Sequence, residues 1–241
     1  MEKAIEIKNL TKTFKNGRGI IELNLEIDRG EIFGFLGPNG AGKTTAMKIM
    51  TGLCKPDSGE VKILGYDICR EYEKAMKEVT CIIETAESYN YLTAYENLKH
   101  FSRFYKNIDD KRIDEVLDMV GLFRYKNEKP KKFSLGMKQR LGIAAAILSH
   151  PKVIIFDEPL NGLDVEGMIQ VRNIIKRLAK EENTTFFISS HLIHDVELTC
   201  NRIGVLYDGR ILNVEYTENI INNYASLENY FISEVQRYGK L

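Results

Sequence analysis

Residues 31–45, EIFGFLGPNGAGKTT, decide the fold. A short apolar run ends in the pattern Gly, four residues, Gly, Lys, Thr, which closes a loop whose backbone N–H groups converge on a phosphate chain. Gly37, Gly40 and Gly42 are expected to take positive φ and to let the backbone approach the phosphates with no Cβ in the way. Pro38, Asn39 and Ala41 complete the loop, and Lys43 supplies a compact cation for the β and γ phosphates. The Thr44 hydroxyl is a ligand suited to Mg²⁺, and Thr45 follows on the same helix start. The helix expected over 43–51 begins on the phosphates, so its positive end faces the negative ligand. These residues therefore specify a nucleotide site between a buried strand and a helix.

Working outward, residues 5–7 and 21–27 alternate apolar and polar side chains, the period of half-buried antiparallel strands, with Asn16-Gly17 as a turn between them. Residues 61–68, VKILGYDI, read as one returning strand. From about residue 71 the pattern is helical, interrupted by a short strand at 79–83. Thr93 and Glu96 form a capping box that opens a helix over 93–106, and Ile113, Val116, Leu117 and Val120 mark another, ended by Gly121. Residues 85–148 thus read as a helical insert within an α/β core. The core resumes with strand 153–156, helix 165–181, strand 184–189 and a hairpin turning at Asp208-Gly209. The stretch 217–238 is helical in period.

With 241 residues the chain can bury a sizeable core. Lys plus Arg equals Asp plus Glu at 34 each, so no net field draws it to a polyanion, and no nucleic-acid partner is expected. The strongly apolar stretch at 141–149 falls well short of the ~18 residues a membrane span needs, and the charged start MEKAIEIKNL does not read as a signal peptide. A cytosolic chain is expected. Cys54, Cys69, Cys81 and Cys200 form no CxxC pair, so plain thiols are expected rather than a metal cluster or disulfide framework.

Three further constellations carry chemistry. The apolar run 153–156 leads into Asp157 and Glu158, placing two carboxylates at the C-terminal end of a strand buried on both faces, where open α/β sheets bind ligands. Asp157 is expected to hold Mg²⁺ through water and Glu158 to polarise the attacking water as general base. His191, in SSH after strand 184–189, lies at the same sheet edge within reach of a γ phosphate. His191 and His194 lack the HExxH arrangement of a zinc site. Ser134, Leu135 and Gly136 open a helix, where the Ser is either a plain N-cap or part of an anion site built from free N–H groups.

In this order the motifs resemble the ATP-binding subunit of an ABC transporter: phosphate loop, helical insert ending in S-x-G, apolar strand with Asp-Glu, Asn161-Gly-Leu-Asp164, and SSH. The likeness spans about residues 4–210. It implies a P-loop NTPase core with an antiparallel β edge subdomain and a helical insert. An ATPase domain over 1–216 would precede a C-terminal helical tail, 217–241. It also implies that Phe14 stacks on adenine, that Ser134 and Gly136 cap the nucleotide of a partner subunit, that Asp164 lies in the loop crossing the dimer seam, and that His191 senses the γ phosphate. Glu84 stands where the family places a glutamine that meets Mg²⁺ and the transmembrane partner, and FSLGM stands where the family has LSGGQ. Both departures resemble the subunits of bacitracin and lantibiotic exporters. The basic run Lys126, Lys129, Lys131 and Lys132 reads as a solvated loop, or as a local field favouring a partner's ATP.

The resemblance implies ATP and Mg²⁺ as ligands, a second ATPase subunit (the same or a different chain) and a membrane permease, with the chain peripheral on the cytoplasmic face. Two other classes compete. A soluble ABC ATPase acting on ribosomes or DNA would carry two ATPase domains or long coiled coils, and a P-loop kinase would leave S-x-G and SSH without a purpose.

Overall fold

A computed structural model describes residues 2–239; the last two residues of the expected tail, and Met1 of the expected domain, lie outside the described residues. Two sheets clasp one helix. Strands β1 (Lys3–Thr13), β2 (Gly19–Asp28), β4 (Ser58–Ile63) and β5 (Tyr66–Asp67) form an antiparallel sheet in the order β2-β1-β4-β5. Strands β3 (Ile32–Leu36), β6 (Val79–Ile82), β7 (Val153–Asp157), β8 (Thr185–Ser190), β9 (Arg202–Tyr207) and β10 (Arg210–Tyr216) form the second, in the order β10-β9-β3-β8-β7-β6. All its pairings are parallel except that of β10 with β9.

The central strands are largely apolar because both of their faces are covered, with polar residues chiefly at their C-terminal ends, Asp157 in β7 and Ser189-Ser190 in β8. Along β7, Val153 and Ile155 join the core shared with the antiparallel sheet, while Ile154 and Phe156 join the core under the insert. The same two-residue alternation sends Phe33 and Phe35 of β3 to one side and Ile32 and Leu36 to the other. Helix α1 (Lys43–Met50) buries Ala46, Met47, Ile49 and Met50 in the first of these cores. It is thereby wedged between the sheets with its N-terminus at the C-terminal edge of β3.

Between β6 and β7 come α3 (Ala94–Ser102), α4 (Asp110–Met119) and α5 (Leu135–Ile147), after the single-turn α2 (Tyr72–Met76) that precedes β6. The capping box at Thr93 and Glu96 forms as expected, and Gly121 ends the α4 segment at φ 69°. Arg112 of α4 is buried, and its guanidinium donates to the carbonyls of Ile147 (2.7 Å) and Leu148 (3.3 Å). That places a cation on the negative end of α5, whose opposite end, with Ser134, is exposed.

Three elements differ from the sequence-based expectation. Residues 61–68 are a hairpin rather than one strand, because Leu64 (φ 52°) and Gly65 (φ 84°) turn the chain between β4 and β5. The tail is two helices, α8 (Thr217–Tyr224) and α9 (Leu227–Tyr238), broken where Ala225 takes φ 63° and Ser226 caps α9. A further helix, α7 (Ile193–Thr199), follows β8, after the long α6 (Val165–Glu182) that links β7 to β8. The tail is packed on the core, with Ile220, Leu227 and Tyr230 buried beside Val196 and Cys200.

Candidate functional site

The loop from β3 to α1 makes one wall of a cleft of about 450 Å³. Pro38, Asn39, Gly40, Gly42, Lys43, Thr44 and Thr45 line it, together with Asp157, Glu158, Glu84 and Asn161; Phe14, Asn16 and Arg18 of the β1–β2 connection form the opposite wall. Gly40 (φ 84°) and Gly42 (φ 109°) take the left-handed backbone expected of them. Gly37 does not: its glycine is needed because a Cβ there would lie 2.4 Å from the Leu206 carbonyl oxygen. Gly37 and Ala41 are buried behind the loop rather than in the cleft wall.

The carboxylates stand at the C-terminal end of β7, as the apolar run before them requires. Asp157 is almost fully buried, and each of its oxygens accepts one hydroxyl: Oδ2 from Thr44 at 2.9 Å and Oδ1 from Ser189 at 2.5 Å. Glu158 turns out of the strand with φ 51°. Its Oε1 accepts from His191 Nδ1 at 2.9 Å and lies 3.6 Å from the Lys43 ammonium. Lys43 is 6% exposed and also donates to the carbonyls of Gly37 (2.7 Å) and Pro38 (3.3 Å). Strand pairing explains the meeting of residues so far apart in sequence, since β7 and β8 run parallel with Asp157 opposite Ser189.

Glu84, at φ 68° after β6, projects its carboxylate to Lys48 of α1 at 2.6 Å, one helical turn beyond Thr44. Phe14 is half exposed in the cleft wall with the Lys12 ammonium 5.8 Å from its ring centre. Ser134 and Gly136 do not line this cleft. Ser134 caps α5 by accepting the Met137 N–H at 3.2 Å, and Asp164 caps α6 by accepting the Gly167 N–H at 2.9 Å. These two helix starts touch: a Cβ on Gly136 would lie 3.0 Å from the Gly162 carbonyl oxygen, and one on Gly162 would lie 2.7 Å from Leu135. Leu135 and Val165 beside them are both at least 70% exposed, large apolar side chains facing outward.

Sequence reasoning passed over Lys48 and Arg18, and it named Asn16, Asn161 and Ser189 only as parts of a turn and of two motifs, without placing them at the site. Arg18 was legible as a cation in the turn after Asn16-Gly17. Ser189 stood in the SSH run, but its bond to Asp157 left no local signal beyond a hydroxyl at the end of an apolar strand.

The oxygen set fits a hard divalent cation. Among the described residues no three His, Cys, Asp or Glu side chains converge on one point. A magnesium ion, however, is ordinarily held by one or two protein oxygens together with substrate phosphates and water, and the Thr44 hydroxyl and the Asp157 carboxylate face the same cleft. A glycine-cradled helix N-terminus, a Lys beside it and an acid pair on the neighbouring strand define a P-loop nucleotide hydrolase.

The comparisons narrow that class. Residues 20–161 match the ABC transporter family, and the chain belongs to that family as an ATP-binding subunit. It is 41% identical to the bacitracin transport ATP-binding protein of Bacillus licheniformis over 212 residues, covering 88% of this chain and 69% of the relative. It is 38% identical to the lantibiotic transport ATP-binding protein of Streptococcus pyogenes over 230 residues, 93% of this chain and 98% of the relative. A dimeric ATP-binding cassette in a post-hydrolysis state, bound to ADP and Pi, superposes with a TM-score of 0.79 at 29% identity, covering 88% of this chain and 98% of that one. The chain is an ATPase of the transporter type, and no helix among the described residues is long and apolar enough to cross a membrane.

Proposed function

We propose that this ATPase binds ATP with Mg²⁺ in the Phe14–Lys43–Asp157 cleft, closes head to tail on a second ATPase subunit, and drives a separate membrane permease from its cytoplasmic face. Within that reading the ATPase unit is residues 1–216, with 217–241 a C-terminal tail. The observation that carries the reading is the meeting of Lys43, Thr44, Asp157, Glu158 and His191 at one sheet edge.

Phe14 offers its exposed face to adenine. Lys43 would turn its ammonium from the Gly37 and Pro38 carbonyls and Glu158 to the β and γ phosphates. Thr44 and Asp157 would hold the cation, with Glu84 as a further carboxylate, and a bound Mg²⁺ would supply charge neutralisation for the phosphates. Glu158 accepts a proton from the attacking water, and His191, donating to the same carboxylate, orients it toward the γ phosphate.

Ser134 and Gly136 lie outside their own cleft, so an anion held by the N-terminus of α5 belongs to another subunit. The outward Leu135 and Val165 and the adjoining Asn161–Asp164 loop are the kind of apolar, loop-rich surface that a partner covers. The names of the relatives support an exporter of a peptide antibiotic or hydrophobic drug. Nothing in the comparisons favours a ribosome- or DNA-directed ATPase.

Glu158→Gln tests the centre of the proposal. It keeps shape and removes the base, so the variant binds ATP and dimerises while steady-state phosphate release falls about a hundredfold or more. Phosphate release at the wild-type rate rejects Glu158 as the base.

A further inference from the structure

We propose that Ser189 is a positioning residue that fixes both acids of the site through one hydroxyl, an inference that rests on the ATPase reading of the cleft. Ser189 is fully buried in β8, a strand otherwise made of Thr, Phe, Phe and Ile up to that point. A buried hydroxyl in such a strand is costly unless it is bonded, and this one is bonded twice in opposite senses. Its O–H donates to Asp157 Oδ1 at 2.5 Å, and its oxygen accepts the Glu158 N–H at 3.1 Å.

The two bonds do different work. The first fixes the plane of the Asp157 carboxylate from the side away from Thr44, so that Oδ2 stays on the Thr44 hydroxyl and a cation held there finds both oxygens in place. The second reaches the backbone of the residue that leaves the strand at φ 51°, a conformation a glutamate holds only when its surroundings enforce it. The Glu158 N–H also bonds the Ser189 carbonyl at 3.2 Å. Loss of the hydroxyl therefore leaves the turn tethered and the strand paired, while the direction of both acids slackens. Next along, the Ser190 hydroxyl accepts the Leu192 N–H at 2.9 Å, and the His191 N–H donates to Glu158 Oε2 at 3.3 Å, so the end of β8 meets Glu158 a second time.

The test uses the full chain and the variants Ser189→Ala and Ser189→Cys, the second keeping the volume with a weaker donor. Binding of a non-hydrolysable ATP analogue is measured by calorimetry without divalent cation, and Mn²⁺ binding to the analogue complex by electron paramagnetic resonance. Ser189→Ala is expected to weaken Mn²⁺ by about 10–100-fold, the usual cost of removing a group that orients a metal ligand. Metal-free analogue affinity stays within about twofold, kcat falls with KM for ATP held, and Ser189→Cys falls between alanine and wild type; if the alanine chain does not fold, the cysteine result alone decides. Wild-type Mn²⁺ affinity in the variants overturns the proposal, as does an equal loss of analogue binding with and without metal, which marks a packing role. A wild-type chain that binds no nucleotide overturns the ATPase reading itself, and the role of Ser189 with it.

Discussion

The three glycines of the phosphate loop are expected to respond to alanine in three different ways, because the structure needs glycine at each for a different reason. At Gly40 an added Cβ meets nothing within 4 Å, and only the backbone angle, φ 84°, resists it. The cost is that of one L-residue in the left-handed region, about 1–2 kcal/mol. At Gly37 the backbone is ordinary, but the Cβ would lie 2.4 Å from the Leu206 carbonyl oxygen, which is fixed in β9 and cannot step aside as a side chain would. An overpacking cost of about 1–3 kcal/mol follows. At Gly42 both operate, with φ 109° and a Cβ 2.6 Å from the Gly19 oxygen, so the loss is about 2–5 kcal/mol. Gly19 opens β2 directly after the wall that carries Phe14, Asn16 and Arg18. Gly42→Ala therefore also pushes that wall off the cleft and weakens ATP binding, while Gly37→Ala acts mainly on stability. Urea unfolding of the three variants gives the stability order, and ATP titration gives the second readout. A Gly37→Ala chain as stable as wild type, or a Gly40→Ala chain less stable than Gly42→Ala, refutes the reasoning.

Phe14→Ala is expected to remove about 1–3 kcal/mol of ATP affinity, the usual worth of one base on one aromatic ring, with stability nearly unchanged because the ring is half exposed; calorimetry that finds equal affinity for ATP removes Phe14 from the adenine site. Asp57 gives a pH dependence away from the site. The Lys12 ammonium, hydrogen-bonded at 2.7 Å, and then the Thr13 N–H hold its carboxyl below the ordinary value of 3.8. Its folded value is depressed, so its contribution to stability is present above pH 3.8 and is lost as the pH falls through the folded value. Asp57→Asn should accordingly flatten the dependence of unfolding free energy on pH below 3.8, and parallel curves for variant and wild type between pH 5 and 3 would contradict this.

What the sequence made legible is what backbone chemistry forces into contiguous residues. A loop that wraps phosphate needs glycines at fixed spacing with a Lys and a Thr behind them, and a strand buried on both faces must deliver its acids at its end. Residues 37–45 and 153–158 show both without any knowledge of the fold. The antiparallel edge was legible for the same reason, since Leu23, Leu25 and Ile27 alternate with exposed residues along β2. Helices α2 and α7, with five and seven residues, are too short for a period of 3.6 to declare itself. The break between α8 and α9 falls on Ala225 in the left-handed region, with no glycine or proline to announce it. At Leu64-Gly65 the signal was present and the alternation of Val61 and Ile63 concealed it.

Ser189 belongs to a different category of difficulty. Its meaning depends on lying 32 residues from Asp157 in sequence and directly opposite it across a parallel ladder. A parallel register is set by the crossover helix α6 and by the packing of both sheet faces, not by any local pattern. Shift β8 by one residue one way against β7 and Ile188 stands opposite Asp157, an acid with no hydroxyl beneath it; a one-residue shift in either direction would also turn the apolar residues of the strand to the wrong cores. The requirement that Phe186 and Phe187 each enter their own core therefore fixes the hydroxyl under the carboxylate. In this chain the packing of two hydrophobic cores and the aim of the acid pair are one constraint, and a residue that looks like part of the strand is where they meet.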